Sequence, residues 1–272
     1  MTAITVVQAG RRPLASVLRE FWAYRELLYF LVWRDAKVRY KQTVLGAAWA
    51  VLQPFLTMVV FTVVFGRLAG VPSDGQPYAL FTFAALVPWS YFGQSLSNAA
   101  ASLVGNRVIA RVYFPRLLVP AASVITPLID FGIALGVMFL LQLGWYRQWP
   151  SPNLLALPFF ILLAAATAFA AGLWFAALNV KYRDVRFVLP FTLQFWMFAT
   201  PIAYPASLVP ERWRLLYGLN PMASVVEGFR WALLATPPPG LMLAVSCVSV
   251  TVALWAGLAY FRRVEGTLVD VL

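Results

Sequence analysis

The sequence predicts an all-α integral membrane protein with six transmembrane helices, an N-terminal amphipathic interface helix, re-entrant helices between the fifth and sixth spans, and both termini cytoplasmic. Three observations carry this. Hydrophobic residues make up 62% of the 272 positions and charged residues 11%, against roughly 25% charged in soluble domains. From Gly46 to Gly66 no ionisable residue occurs. At about 1.5 Å per helical residue, that run covers the roughly 30 Å of bilayer hydrocarbon. Immediately before it stand Arg34, Asp35, Lys37, Arg39 and Lys41, and Lys and Arg collect on the cytoplasmic flank of a span because they cross a bilayer poorly.

The whole chain reads as one transmembrane domain, with residues 1–45 as a cytoplasmic interface segment, 46–261 as the bundle and 262–272 as a cytoplasmic tail. No cleavable signal is recognised at the start, since charge follows the short apolar stretch instead of preceding it. From Pro13, the residues Leu14, Val17, Leu18, Phe21 and Trp22 repeat at helical spacing, with Arg19, Glu20 and Glu26 on other faces. Such a helix lies along the headgroup layer. Six spans follow, at about 46–65, 78–103, 117–143, 154–178, 187–203 and 241–261.

An even number of spans places both termini on one side, and the charges test this. Sixteen of the 21 Lys and Arg residues fall in the N-terminal segment, the 104–116 and 179–186 loops and the tail. Arg67, Arg147, Arg212, Arg214 and Arg230 remain for the opposite side. That asymmetry orients the chain with its termini inside.

Residues 204–240 are too long for a plain loop. Asn220 is suited to cap a helix with Pro221 at its first position. Val225, Val226, Phe229 and Leu233 form an apolar stripe, Glu227 and Arg230 are spaced to pair, and the Pro237–Pro239 run stops the helix. It is too short to span, so it dips in from the outer face, which requires protein or a water-filled cavity around it.

The chain contains no His and a single Cys247 within an apolar run, which removes the commonest general base and any thiolate metal site. No GxxxxGK[ST] loop occurs, so nucleotide hydrolysis by such a loop is excluded here. These gaps argue against an enzyme and for transport. The net charge of +11 does not point to nucleic acid, because the basic residues flank apolar runs; membrane lipids are the simpler partner.

Four features are candidates for function, each with a plainer alternative. Asp130 is the one acid deep in a span; such a residue is functional or paired, or, beside Thr126 and Pro127, bonds backbone freed by a kink. Phe187, Phe191, Phe195 and Phe198 ring one face of the fifth span, with Trp196 adjacent and Tyr204 beyond, while Trp89, Tyr91 and Phe92 cluster in the second. Aromatic faces stack on the C–H faces of sugar rings, but they also form interfacial belts and pack between helices. The loop GNRVIARVYFP, residues 105–115, carries Arg107 and Arg111 four apart with Val108, Val112 and Phe114 among them: an anchored turn, or a knob for a soluble motor subunit. The fourth is the charged hinge NVKYRDVRF at 179–187.

Taken in order, RDAKVRYKQTVLGAAWAVLQP, VYFPRLLVP, NVKYRDVRFVLPFTLQFWMFATPIAYP and LNPMASVVEGFR resemble the permeases of type-2 ABC exporters that move lipid-linked polysaccharides such as O-antigen, capsule or teichoic acid. The resemblance covers nearly the whole chain. It implies a homodimer in a bacterial inner membrane, served by two copies of a cytoplasmic ATPase that binds the ATP and Mg. It further implies that Arg107, Val108, Arg111, Tyr113 and Phe114 belong to a coupling helix seated on that ATPase. The helix at Asn220 and Pro221, with Glu227 and Arg230, would help form an outer gate. The nine aromatics would make a glycan path. Arg34, Lys37, Arg39 and Lys41 are then candidates to receive the diphosphate of a lipid carrier, unless their role is purely topological. Two other cargo readings stand beside this one: a drug or small lipid moved by the same architecture, and an ATP-independent lipid flippase.

Overall fold

The computed structural model describes residues 21–41, 46, 48–104, 114–182 and 184–265. These residues are helical throughout their ordered elements, and no strand occurs among them. Among the described residues four helical segments are long and apolar enough to cross a membrane: Ala48–Leu68, Leu118–Trp145, Pro152–Lys181 and Leu241–Val264.

The first bounded helix among the described residues is α1 (Arg25–Lys41), which extends the interface segment almost to the first apolar run. The expected helix from Pro13 lies outside the described residues as far as residue 20. Next, α2 (Ala48–Phe61) carries Pro54 and widens into a π-helical turn, Thr62–Leu68. The long α3 (Tyr78–Ala101) follows, with Pro88 inside it. The third apolar segment divides at Thr126 and Pro127 into α4 (Leu118–Ile125) and α5 (Leu128–Leu140), which runs on through Trp145. A proline cannot donate the bond that would keep the two halves continuous.

After a short 3₁₀ turn at Pro152–Ala156 comes α6 (Leu157–Lys181). The shorter α7 (Val185–Phe198) and the small helix α8 (Glu211–Tyr217) lead to α9 (Pro221–Leu234), and α10 (Leu241–Glu265) closes the fold. Helices α3 (24 residues) and α7 (14 residues) pack against each other within this bundle, which is fastened at both ends. At one end Leu31, Leu103, Phe114, Leu118, Leu173, Ala177 and Phe261 cluster. At the other, Tyr78 Oη donates to the Ala203 carbonyl at 2.5 Å and Ser207 Oγ to Asp74 at 3.0 Å.

The core is built on α3 and α6. Buried Ala164, Ala168, Gly172 and Ala176 recur every fourth residue on α6, a spacing that lets helix backbones approach closely. At Gly172 a Cβ would stand 2.7 Å from the Ala99 Cβ, so the α3–α6 contact has no room for a methyl group there. On its other side α6 packs along α10, where the Trp174 ring stacks on Tyr260 with centroids 5.0 Å apart.

The expected short helix in the outer segment is α9, with the bounds read from Asn220 and Pro221, but its surroundings differ from the expectation of a stripe. Thirteen of its 14 residues are buried, Glu227 and Arg230 included. It is wrapped by α3, α6, α10 and the 3₁₀ turn. It closes at Leu234 as expected, with Ala235 left-handed at φ 58° and the proline run just beyond. Helix ends leave carbonyls unpaired, and here other segments pair them. Gln142 Nε2 donates to Leu233 O at 2.8 Å, the Ser151 amide to the same oxygen at 3.3 Å, and Gln76 Nε2 to Leu234 O at 3.0 Å.

Candidate functional site

A groove of about 710 Å³ opens between the end of α1 and helices α2, α3, α5 and α7. Its wall interleaves aromatic rings (Trp49, Trp89, Tyr91) with amides and hydroxyls (Gln53, Thr57, Ser90, Gln94, Ser97, Gln194). Part of this polarity is met within the protein, Gln94 Nε2 donating to Asn98 Oδ1 and Thr57 Oγ1 to Gln53 O, each at 2.9 Å, and a ligand or water can meet the rest where hydrocarbon cannot. Helical spacing explains the composition on α3: Ser90, Gln94 and Ser97 fall three to four residues apart and share one face. Most of the rest of α3 is buried in the bundle.

Arg39, Tyr40 and Asp130 also line this groove. Arg39 Nη2 lies 2.8 Å from Asp130 Oδ2, and the Tyr40 hydroxyl donates to Asp130 Oδ1. The carboxylate thus takes its partners from α1 and not from the backbone freed at Pro127. Burial, and then the bond to Asp130, push the Tyr40 phenol up to about 12, so it stays a protonated donor at neutral pH. Tyr40 was not singled out by sequence reasoning; its place next to Arg39 in KVRYK was the available signal.

The four basic residues read as one cluster occupy two faces of α1. Arg39 turns inward to Asp130. Arg34, Lys37 and Lys41, spaced by three and four, share a shallow exposed surface of about 540 Å³ with Phe30, Trp33 and Val38. On that surface Arg34 pairs with Asp35 at 2.8 Å, and the Lys37 ammonium sits 5.0 Å from the centre of the Trp33 ring.

The nine aromatics also divide. Trp89 and Tyr91 line the groove while being largely covered. Phe92 is fully buried, its ring edge-on to Trp196 with centroids 4.9 Å apart. Trp196 is half-buried and donates from its indole to Asn220 Oδ1 at 2.8 Å. Phe187, Phe191, Phe195 and Phe198 are 56–73% exposed on the outer face of α7. Tyr204 donates to the Phe198 carbonyl and shares a hydrogen bond with the Tyr217 hydroxyl at 2.9 Å. The chain therefore has an inner aromatic set and an outer one.

At the opposite end from α1, Asn220, Glu227 and Arg230 tie the 199–206 segment to α9. Asn220 caps the helix, its Oδ1 accepting from the Met222 amide at 3.1 Å, while Nδ2 donates to Ala199 O and Thr200 Oγ1. Pro221 fills the first helical position. Arg230 is fully buried. Its guanidinium donates to Glu227 at 2.8 Å, Ile202 O at 2.8 Å, Phe81 O at 3.2 Å and Tyr204 O at 3.4 Å. Glu227 in turn accepts from the Ala206 amide at 3.2 Å.

Of the residues assigned to a coupling helix, Arg107, Val108, Arg111 and Tyr113 lie outside the described residues. Phe114 is buried in the cluster that joins Leu31 to α4 and α6.

Comparison with known proteins agrees with this architecture. Residues 26–234 match the family described as ABC-2 type transporter. A protein named O-antigen export system permease protein RfbA from Myxococcus xanthus is 32% identical over 256 residues, covering 92% of this chain and 97% of that protein. One of the same name from Klebsiella pneumoniae is 25% identical over 249 residues, covering 91% and 95%. The polysialic acid transport protein KpsM of Escherichia coli is 22% identical over 236 residues, covering 85% and 91%. An all-helical chain with four long apolar segments and a family match over most of its length is thereby placed: it is a membrane permease of the ABC-2 type transporter family.

Proposed function

We propose that this chain is the channel-forming subunit of an ATP-driven exporter that moves lipid-linked polysaccharide from the cytoplasmic to the outer side of a bacterial inner membrane. In this reading the chain crosses six times, with α3 and α7 joining the four long apolar segments and both termini cytoplasmic. The excess of Lys and Arg at the end holding α1 supports that orientation. Helix α9 and the 199–206 segment then form a re-entrant outer cap. Two copies of the chain, each seated on a separate ATPase that binds ATP and Mg, would form the working unit, and motor closure would part the helices.

The observation that carries the reading is the lining of the groove. Glycans present apolar C–H faces and a dense array of hydroxyls, and Trp49, Trp89, Gln53, Gln94 and Gln194 match both features. The names of the relatives favour the same cargo. A small apolar drug offers those amides no further hydrogen bond, which is unfavourable in a membrane.

Glycan accounting in a strain depleted of this protein tests the proposal. Lipid-linked polymer trapped on the cytoplasmic side, cleared by the wild-type chain together with its ATPase, is the expected result. Normal surface polysaccharide with no trapped intermediate would overturn the cargo and move the permease to small-molecule export.

A further inference from the structure

We infer that Arg39 is an anion site for a phosphate-bearing headgroup, and that Asp130 is its built-in occupant until such a group displaces it. The inference rests on the export reading above and adds to it a regulated point of capture.

Of the four basic residues in the cluster, Arg39 alone among them lines the groove. The other three face outward on α1. A guanidinium binds carboxylate and phosphate through the same planar fork of N–H donors, and it favours the ligand with more charge and more acceptor oxygens. A diphosphate exceeds Asp130 on both counts. The bond to Asp130 is 2.8 Å, the carboxylate is 14% exposed and the guanidinium side chain 31%, so the pair sits at a rim that an anion can reach from the groove.

The second holder, Tyr40, keeps the carboxylate in place from the neighbouring position on α1. Both donors stand at the last turn of α1, just ahead of α2, whereas Asp130 belongs to α5, beyond the break at Pro127. The buried residues of α1, Leu31 and Ala36, both lie ahead of this last turn. Exchange of Asp130 for an incoming phosphate would therefore release α1 from α5 at the mouth of the groove. Capture of the headgroup and loosening of the helix before α2 become one event.

The test uses the full chain in phosphatidylcholine nanodiscs, with two labelled probes: a polyprenyl diphosphate in the bilayer and inorganic pyrophosphate in solution. If Asp130 competes for Arg39, Asp130→Asn tightens binding about tenfold, as expected for removing a charge-assisted bond to the competing group. Arg39→Ala loses binding, and Arg39→Ala with Asp130→Asn behaves as Arg39→Ala alone. Tyr40→Phe, which loosens the competitor without removing it, tightens binding by a few-fold and serves if Asp130→Asn fails to fold. A response to the lipid alone assigns the site to a membrane-held headgroup; a response to both assigns it to diphosphate as such. Asp130→Asn binding as weakly as Arg39→Ala would overturn the inference and make the pair a structural clamp. Absence of binding by wild type and Asp130→Asn alike would also overturn it, leaving the export reading to be judged on trapped glycan.

Discussion

The Arg230 guanidinium lies over the Phe81 ring, 3.4 Å from its centroid, with no exposure to solvent. A cation buried this deeply is tolerated because Glu227 and the carbonyls of Phe81, Ile202 and Tyr204 satisfy it together. The result is a clasp that joins α3, α9 and the 202–206 turn. Replacing Arg230 with Met leaves the Glu227 carboxylate buried without its partner, which should cost about 3–5 kcal/mol. Thermal unfolding of the purified protein would show it. Arg230→Met with Glu227→Gln should recover a large part of the loss, and additive effects of the two changes would refute the clasp.

Gly228 and Phe160 are a second tight relationship. A Cβ at Gly228 would stand 2.1 Å from Phe160 Cε1, and that ring is buried and edge-on to both Phe159 and Trp231. Gly228→Ala should destabilise by about 1–3 kcal/mol through overpacking. Combining it with Phe160→Leu should be less harmful than the sum of the two changes, measured by unfolding midpoint.

For the aromatic residues, inner and outer sets should separate. Phe191→Leu with Phe195→Leu changes exposed positions and should leave the fold intact within about 0.5 kcal/mol. If these rings meet glycan, export of long chains falls while short chains are moved normally, read from the polymer length profile on gels. An unchanged profile would remove α7 from the path. Phe92→Leu acts on the core and should lower stability by about 1 kcal/mol or more.

The two faces of α1 make a sharper prediction. Arg39→Gln should insert normally and lose export. Lys37→Gln with Lys41→Gln should reduce export far less, since neither side chain faces the groove. Misinsertion of Arg39→Gln, scored by protease protection, would return that residue to a topological role.

The coupling segment offers a direct test of the motor partner. Arg107→Glu with Arg111→Glu should abolish co-purification of the ATPase without changing membrane insertion. A complex that survives both charge reversals would place the contact elsewhere.

Much of the fold was legible in the chain because a bilayer imposes a length and a composition on what crosses it. The runs from Gly46, Leu117, Leu154 and Leu241 announce themselves by their apolar length, broken by a single charge at Asp130, and the helices found there begin within a few residues. Asn220 and Pro221 were equally readable, since a cap and its proline act through their own backbone. The Glu227 and Arg230 pair followed from helical spacing.

What lay beyond the sequence depended on which surfaces face each other. Nothing local indicates that Glu227 and Arg230 are buried, because hydrophobicity near them describes one helix and not the helices around it. Four neighbouring charges looked like one cluster; rotation of α1 sends Arg39 inward and the other three outward. Asp130 looked isolated in its own segment, and its partners Arg39 and Tyr40 come from about 90 residues earlier in the chain. Apolar length and helix caps are properties of a single segment, and the sequence by itself determined them. The groove, the clasp at Arg230 and the Arg39–Asp130 pair are contacts between segments, and only packing in three dimensions decided them.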